Sequence, residues 1–296
     1  MILYHKKIVR HTRRIRIRPF GDLQFGDPGF RQDLWDRWIK EAILDQDSFF
    51  IGMGDYSNSF RPTIAKGIKK IMVDDNEAHS ELDYMIMKEM QGLAEKLKPI
   101  QDRIIGLHTG HHSFDFLNGT NSDNYLCQLL KCKYLGFVAF GTLGVEQGNR
   151  DKEKGSHNSR NITIFSTHGC GGSSQSSSDL ANLERKILPF WDADIFLRGH
   201  STKVYAAPGA PLHRLSVNTH GYDNMKIFKH QRWLVNCGGF MEGYTQNRTS
   251  YVEEKNMAPA ALGWAVIEVH IKDTKGKSGE SPIEISPTIF APNQDD

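Results

Sequence analysis

An α/β fold is the expectation for this chain, on three observations. Segments with the two-residue alternation of strands and segments with helical spacing follow one another through residues 15–205. After that stretch the chain turns to β segments. A hydrophobic content of 39% with 24% charged residues is that of an ordinary folded protein able to bury a core. The pattern is read as one domain over 1–296, with a tail at 272–296 that lysine, glycine, serine and proline leave loosely held.

Each element has a local reason. "RIRIRPFGD" alternates like a strand and stops at a Gly-Asp turn. "PGFRQDLWDRWIKEAILDQ" follows with Phe30, Leu34, Trp38 and Ile39 at helical spacing and Pro28 ahead of it. "SFFIGMGDYSN" is a second strand ending in Gly-Asp, residues 77–98 form a long amphipathic helix, and "DRIIGLHTGHH" is a third strand. Residues 121–133 are helical and 134–143 extended, and "GVEQGNRDKEKGSHNSR" is a solvated hairpin loop. "NITIFSTHGCGG" ends a strand in histidine and glycine, "SSDLANLERKILPFW" is a capped helix, and "ADIFLRGHSTKVYAAP" is strand, turn and strand. "LHRLSVNT", "QRWLVNCGGFM" and "GWAVIEVHI" complete the β-rich half.

Charge and cysteine usage remove several function classes. A net charge of +2 excludes a wholesale nucleic-acid coat. The basic opening, with Arg14, Arg16 and Arg18 before the first acid, Asp22, suits either a phosphate-contacting arm or an edge strand kept soluble by outward arginines; the alternation with Ile15 and Ile17 favours the strand. No apolar run approaches the ~18 residues of a membrane span, and the start has no secretory h-region, so a cytoplasmic protein without membrane partners is expected. Cys127, Cys132, Cys170 and Cys237 form no CxxC pair and are expected as free thiols. The tract "GCGGSSQSSS" lacks the Lys-Ser/Thr of a P-loop, which argues against a nucleotide cradle.

Asp22, Asp55, His111, His112, His168 and His200 each follow a predicted strand directly. A single Gly-Asp turn or a single strand-end histidine is ordinarily structural. Two acids and four imidazoles on consecutive turns at one sheet edge point to a metal, since ligands of open α/β sheets sit at the carboxyl ends of strands. A hydrolytic site needs anionic oxygen to hold cations and neutral imidazole to tune them.

The order "GDLQ", "GMGDYSN", "TGHHS", "STHG", "LRGHST" resembles the calcineurin-like metallophosphoesterases, whose pattern is D-x-H, G-D-x-x-[ND], G-N-H-[DE], a lone His-Gly and G-H-x-H. "NSDNYLCQLLKCKYLGF" and "NLERKILPFWDADIFLRGHSTK" look like the phage-type members. The resemblance implies a sandwich of two mixed β-sheets flanked by helices, hydrolysing phosphoesters by metal-bound hydroxide. It implies that Asp55 bridges two metals, that His111, His168 and His200 serve the second metal, and that Asp22 serves the first. His112 falls on the catalytic histidine, and with Asp22 makes the catalytic pair. Asn58 matches a position near substrate phosphate, and Arg198 and Lys203 flank His200 as candidate phosphate contacts.

Two positions depart from the family. Gln24 and Thr202 replace imidazoles of the first metal, so that site is expected weak, oxygen-rich or empty, while the second binds manganese, zinc or iron firmly. His213 or His220 folding back is the other way to complete it. The expected activity is a phosphoesterase favouring diesters, nucleic acid among them. The alternatives are a catalytically weakened phosphate- or nucleic-acid-binding relative and a structural zinc protein.

Overall fold

The computed structural model describes all residues except 11–12, 58–75, 148–158, 171–175, 217–225, 245–248, 255, 257, 273–282 and 293–296. The strands are β1 (Ile2–Arg10), β2 (Arg14–Phe20), β3 (Ser48–Gly52), β4 (Ile104–His108), β5 (Lys133–Gly136), β6 (Val138–Gln147), β7 (Ser159–Thr167), β8 (Ile195–Arg198), β9 (Val204–Ser216), β10 (Lys226–Gly239), β11 (Gly263–Ile271) and β12 (Ile283–Phe290). The helices are α1 (Gln32–Leu44), α2 (Asn76–Leu97), α3 (Ser122–Leu129), α4 (Ser176–Lys186) and the single turn α5 (Tyr251–Glu254).

Two mixed sheets face each other with helices outside them. One sheet runs β1-β6-β7-β8-β10-β9, and the other runs β5-β4-β3-β2-β11-β12. The last two residues of β10, Gly238 and Gly239, pair with β11 and join the sheets. Alternation along β2 shows how each layer is filled. Ile15 and Ile17 enter the inter-sheet core with Ile51, Leu143, Val235 and Ile267. Phe20 faces the opposite side, where Trp35, Trp38, Met90 and Leu97 pack. Trp35 and Trp38 stack at 4.9 Å between centroids. The outer face of the first sheet is covered by Leu183, Leu188 and Phe196.

β2 is not an edge strand. It lies between β11 and β3, and two of its three arginines, Arg16 and Arg18, turn to acids of the fold. Arg18 is buried and pairs with Asp45 at 3.1 Å and Glu41 at 3.4 Å, while Arg16 pairs with Asp45 at 2.8 Å. Arg14 faces Glu268 at 3.6 Å. Arg16 and Arg18 are held there because Glu41 in the last turn of α1 and Asp45 just after it supply counter-charge.

Other boundaries shift for physical reasons. Residues 2–10 form an added strand parallel to β6. The expected strand at 134–143 divides at Gly136, whose φ of +61° lets the chain leave one sheet for the other. Of the stretch 144–160 expected as a solvated loop, residues 144–147 belong to β6 and 159–160 to β7, and 148–158 lie outside the described residues. Within the tail expected to be loosely held, Ile283–Phe290 pairs antiparallel with β11, and Ile283 and Ile285 partly cover the inter-sheet core. All four cysteines are free. Among the described residues, no helix is long and apolar enough to cross a membrane.

Candidate metal centre

β2, β3 and β4 are parallel in one sheet, and β7 and β8 are parallel in the other, so both sheets deliver carboxyl ends to one place. The loops after β2 and β3 run side by side. Met53 N–H donates to Phe20 O at 2.7 Å, Asp22 N–H to Gly54 O at 3.0 Å and Gln24 N–H to Asp55 O at 3.1 Å. His168 N–H donates to Phe137 O at 3.0 Å, and Gly199 N–H to Thr167 O at 3.3 Å.

Asp55, His111, His168 and His200 each present one donor atom, and these atoms lie within 4.8 Å of one another. The three imidazole centroids are 4.6, 4.9 and 5.2 Å apart. The tautomer of His168 is set by its surroundings. Nδ1–H donates to Met53 O at 2.6 Å, so the lone pair is left on Nε2, which faces Asp55 Oδ2 at 3.4 Å. Nδ1 of His200 is buried with no hydrogen-bond partner, and the buried Nε2 of His168 faces only Asp55, an arrangement a cation would satisfy. Asp55 is oriented by the His112 N–H, which donates to Oδ1 at 3.0 Å. One carboxylate and three neutral nitrogens fit a divalent transition metal.

Electrostatics agree with that use. Burial opposes ionisation of Asp55, but the hydrogen bond and charge of His168, with His112, outweigh it and hold the carboxyl well below its usual range. Burial likewise opposes charging of His168, and Asp55 overrides it, raising the imidazole to about 9. His200 is lowered to about 4 by burial and by His168, and His111 is lowered for the same two reasons. Without a cation, one proton on His168 therefore neutralises the carboxylate. A metal must displace that proton.

The backbone is strained where these groups converge. Of eight non-glycine residues with positive φ among the described residues, five are Asp22, Gln24, Asp55, His200 and Thr202, with φ between 47° and 72°. Such conformations cost about 1 kcal/mol each and persist at sites that the surrounding structure over-determines. Close approach also needs Gly54, at φ +97°, and Gly110, where any side chain would overlap Asp55.

The remaining sequence candidates divide. Asp22 lies outside the four-donor group: its Oδ2 accepts from His200 N–H at 2.8 Å and meets Cys237 Sγ at 3.7 Å. Burial and the neighbouring Asp55 charge push its carboxyl up to about 7. Gln24 is buried, and its Oε1 has no hydrogen-bond partner. His112 is half-buried beside Asp55. Lys203 is half-buried on the turn after His200, and its carbonyl accepts from the buried Asn236 amide. Asn58 and His220 lie outside the described residues. His213 is exposed on β9, nine residues beyond Val204, or ~30 Å along the strand, and so does not complete the first metal site.

Arg198 is a correction. It is buried, ion-paired to Asp179 at 3.0 Å, and donates to the carbonyls of Asp179 and Cys170. Its role is to tie α4 and the loop after His168 to β8, not to face solvent phosphate.

Sequence reasoning missed three supporting groups. Asp123, raised to about 6 by burial, accepts from Thr109 Oγ1–H and Gly110 N–H, each at 3.0 Å, and so holds the loop carrying His111. Its only sequence signal, "NSDN", reads as a helix cap. Asn236 Nδ2–H donates to Ser201 Oγ at 2.7 Å and fixes the turn after His200. Main-chain oxygen from Met53 orients His168. Backbone groups and strand-interior asparagines carry no motif.

No family model matches the sequence, and no curated protein matches it. Solved structures similar to this chain include a conserved protein from Streptococcus pneumoniae TIGR4 described as a predicted phosphoesterase, at 12% identity, covering 93% of this chain and 98% of that chain, with TM-score 0.32. Chaetomium thermophilum Vps29 is similar at 11% identity over 94% of this chain and 95% of that chain, TM-score 0.32. Plasmodium GAP50, the anchor in the inner membrane complex, is similar at 11% identity over 94% and 84%, TM-score 0.38.

Proposed function

We propose that this protein is a metal-dependent phosphoester hydrolase of the calcineurin-like type. The carrying observation is the group of four donor atoms within 4.8 Å, built from the ends of strands of both sheets. Asp55, His111, His168 and His200 hold the cation in this reading. A divalent cation there supplies positive charge for a phosphoryl oxygen and acidifies water. His168 is kept in the ligating tautomer by Met53 O, and the His112 main chain aligns Asp55. The His112 imidazole donates the proton that the departing oxygen needs. Asp22 positions His200 by accepting its main-chain N–H.

The second site is weaker in this proposal. Gln24 Oε1 offers an unpartnered buried oxygen where the family pattern has an imidazole, and Thr202 replaces another. These two substitutions also favour a second reading, a phosphate-binding relative with little turnover. A diester preference rests chiefly on the phage-type motif resemblance, because Arg16 and Arg18 of β2 are ion-paired to Asp45 within the fold.

The test is purification without added metal, elemental analysis, and hydrolysis of bis(4-nitrophenyl) phosphate and 4-nitrophenyl phosphate with manganese, zinc and magnesium in turn. Turnover of the diester above the monoester is expected. One tightly held metal with no turnover by any ion supports the binding protein instead. His112→Ala is expected to keep metal and lose ~100- to 10,000-fold in kcat, whereas His111→Ala loses metal.

A further inference from the structure

We propose that Phe137 is a stacking platform for a flat aromatic group carried on the phosphoester, which narrows the substrate class to aryl or nucleoside-type esters. The inference rests on the phosphoester reading of the adjoining metal cage.

Phe137 is 50% exposed, and its ring centroid lies 5.7 Å from that of His111, at 49° between planes. His111 is itself exposed, so an imidazole of the cage and a phenyl ring outside it form one solvent-facing ledge. Single exposed hydrophobes are common on protein surfaces and need no function. Phe137 differs in how it is held. The carbonyl before it, Gly136 O, accepts from Thr109 N–H at 3.1 Å and His108 Nδ1–H at 2.7 Å. Its own carbonyl accepts from His168 N–H. Phe137 is thus tied by its main chain to the loops that carry His111 and His168. Leu135 and Ala139 on either side are fully buried in the inter-sheet core, while the ring at 137 is turned out toward the cage.

A rigid aromatic ring beside a phosphate site offers its face to another π-system at little entropic loss. Stacking of this kind changes affinity ~5- to 150-fold on alanine substitution. A ring joined to phosphorus directly, or through a few bonds, reaches the phenyl while the phosphoryl group sits at the cage.

The experiment is isothermal titration of the full-length, manganese-loaded protein with two ligand pairs. Phenylphosphonate is compared with methylphosphonate, and the phosphonate analogue of adenosine 5′-monophosphate with that of ribose 5-phosphate. At least one aromatic member is expected to bind ~5- to 150-fold more tightly than its partner, and the pair that shows this separates aryl from nucleobase recognition. Phe137→Ala should remove the advantage with manganese content unchanged, and Phe137→Trp should keep it. Equal binding within both pairs, or an advantage that survives Phe137→Ala, overturns the platform while leaving the phosphoester reading intact. Wild-type protein that holds manganese yet binds none of the four ligands overturns the phosphoester reading, and the platform with it.

Discussion

Gly110→Ala tests the cage through sterics alone. Gly110 does not have the positive φ that disfavours a side chain, so the main-chain conformation accepts alanine. The new methyl would overlap Asp55 Oδ1 and N, and would lie 2.8 Å from Asp55 Cγ. Asp55 is 3% exposed and has no free volume to retreat into. Its carboxylate must move by about an ångström to restore normal contact. That movement disturbs the bond from His112 N–H at 3.0 Å and the approach to His168 Nε2 at 3.4 Å. A strained core substitution costs about 1–3 kcal/mol and a disturbed charged hydrogen bond about 1.5–3 kcal/mol, so a loss of roughly 3–5 kcal/mol is expected. Metal affinity should fall about 10- to 100-fold. Gly92→Ala is the control: nothing lies within 4 Å of its added methyl on the exposed face of α2, and a gain of about 0.5–1 kcal/mol is expected. Urea unfolding gives the stabilities and calorimetric titration of manganese gives the affinity. If Gly110→Ala unfolds like wild type and binds manganese within two-fold of it, the placement of that loop against Asp55 is wrong.

Two further predictions concern groups outside the cage. Arg18→Met leaves Asp45 with one fewer partner in a buried setting, and should lower unfolding stability by about 3 kcal/mol while leaving KM for the diester unchanged; a raised KM at unchanged stability would restore the phosphate-contact role. Burial, the larger influence, and His168 lower His108 to about 4, with Nδ1–H donating to Gly136 O and Nε2 accepting from Ser166 Oγ–H. Between about 4 and 6.5 the unfolded chain takes up a proton on this residue and the native protein does not. Stability attributable to His108 is therefore whole above pH 6.5 and falls by about 3 kcal/mol as pH drops through that window. His108→Gln should flatten this part of the pH–stability curve, and an unchanged slope would place the proton elsewhere.

Some of the site was legible in the chain and some was not, for reasons visible in single residues. Asp55, His168 and His200 stand directly after apolar runs, and a strand end followed by a tight turn forces such side chains to one sheet edge. Arg18 and Arg198 misled because a charge in a strand pattern has two outcomes, solvent or a buried counter-ion. Asp45, Glu41 and Asp179, which decide between them, are distant or unremarkable in sequence. His213 failed as a replacement ligand because a strand, once extended, carries its residues away from its starting end.

The order of strands and helices from β2 to β11, the apolar faces that make the cores, and the residue types offered at strand ends were determined by the sequence itself, whereas β1 and β12 were not legible in it. Periodicity and turn chemistry act over a few residues and need no partner. The tertiary structure alone decided that His111, His168 and His200 share one cage with Asp55 while Asp22 stands one hydrogen bond away. It also decided that Met53 O sets the tautomer of His168 and that Phe137 faces the cage instead of the core. Those outcomes depend on the meeting of two sheets whose residues are far apart along the chain, Asp22 and His200 by 178 residues, and no local pattern encodes such a meeting.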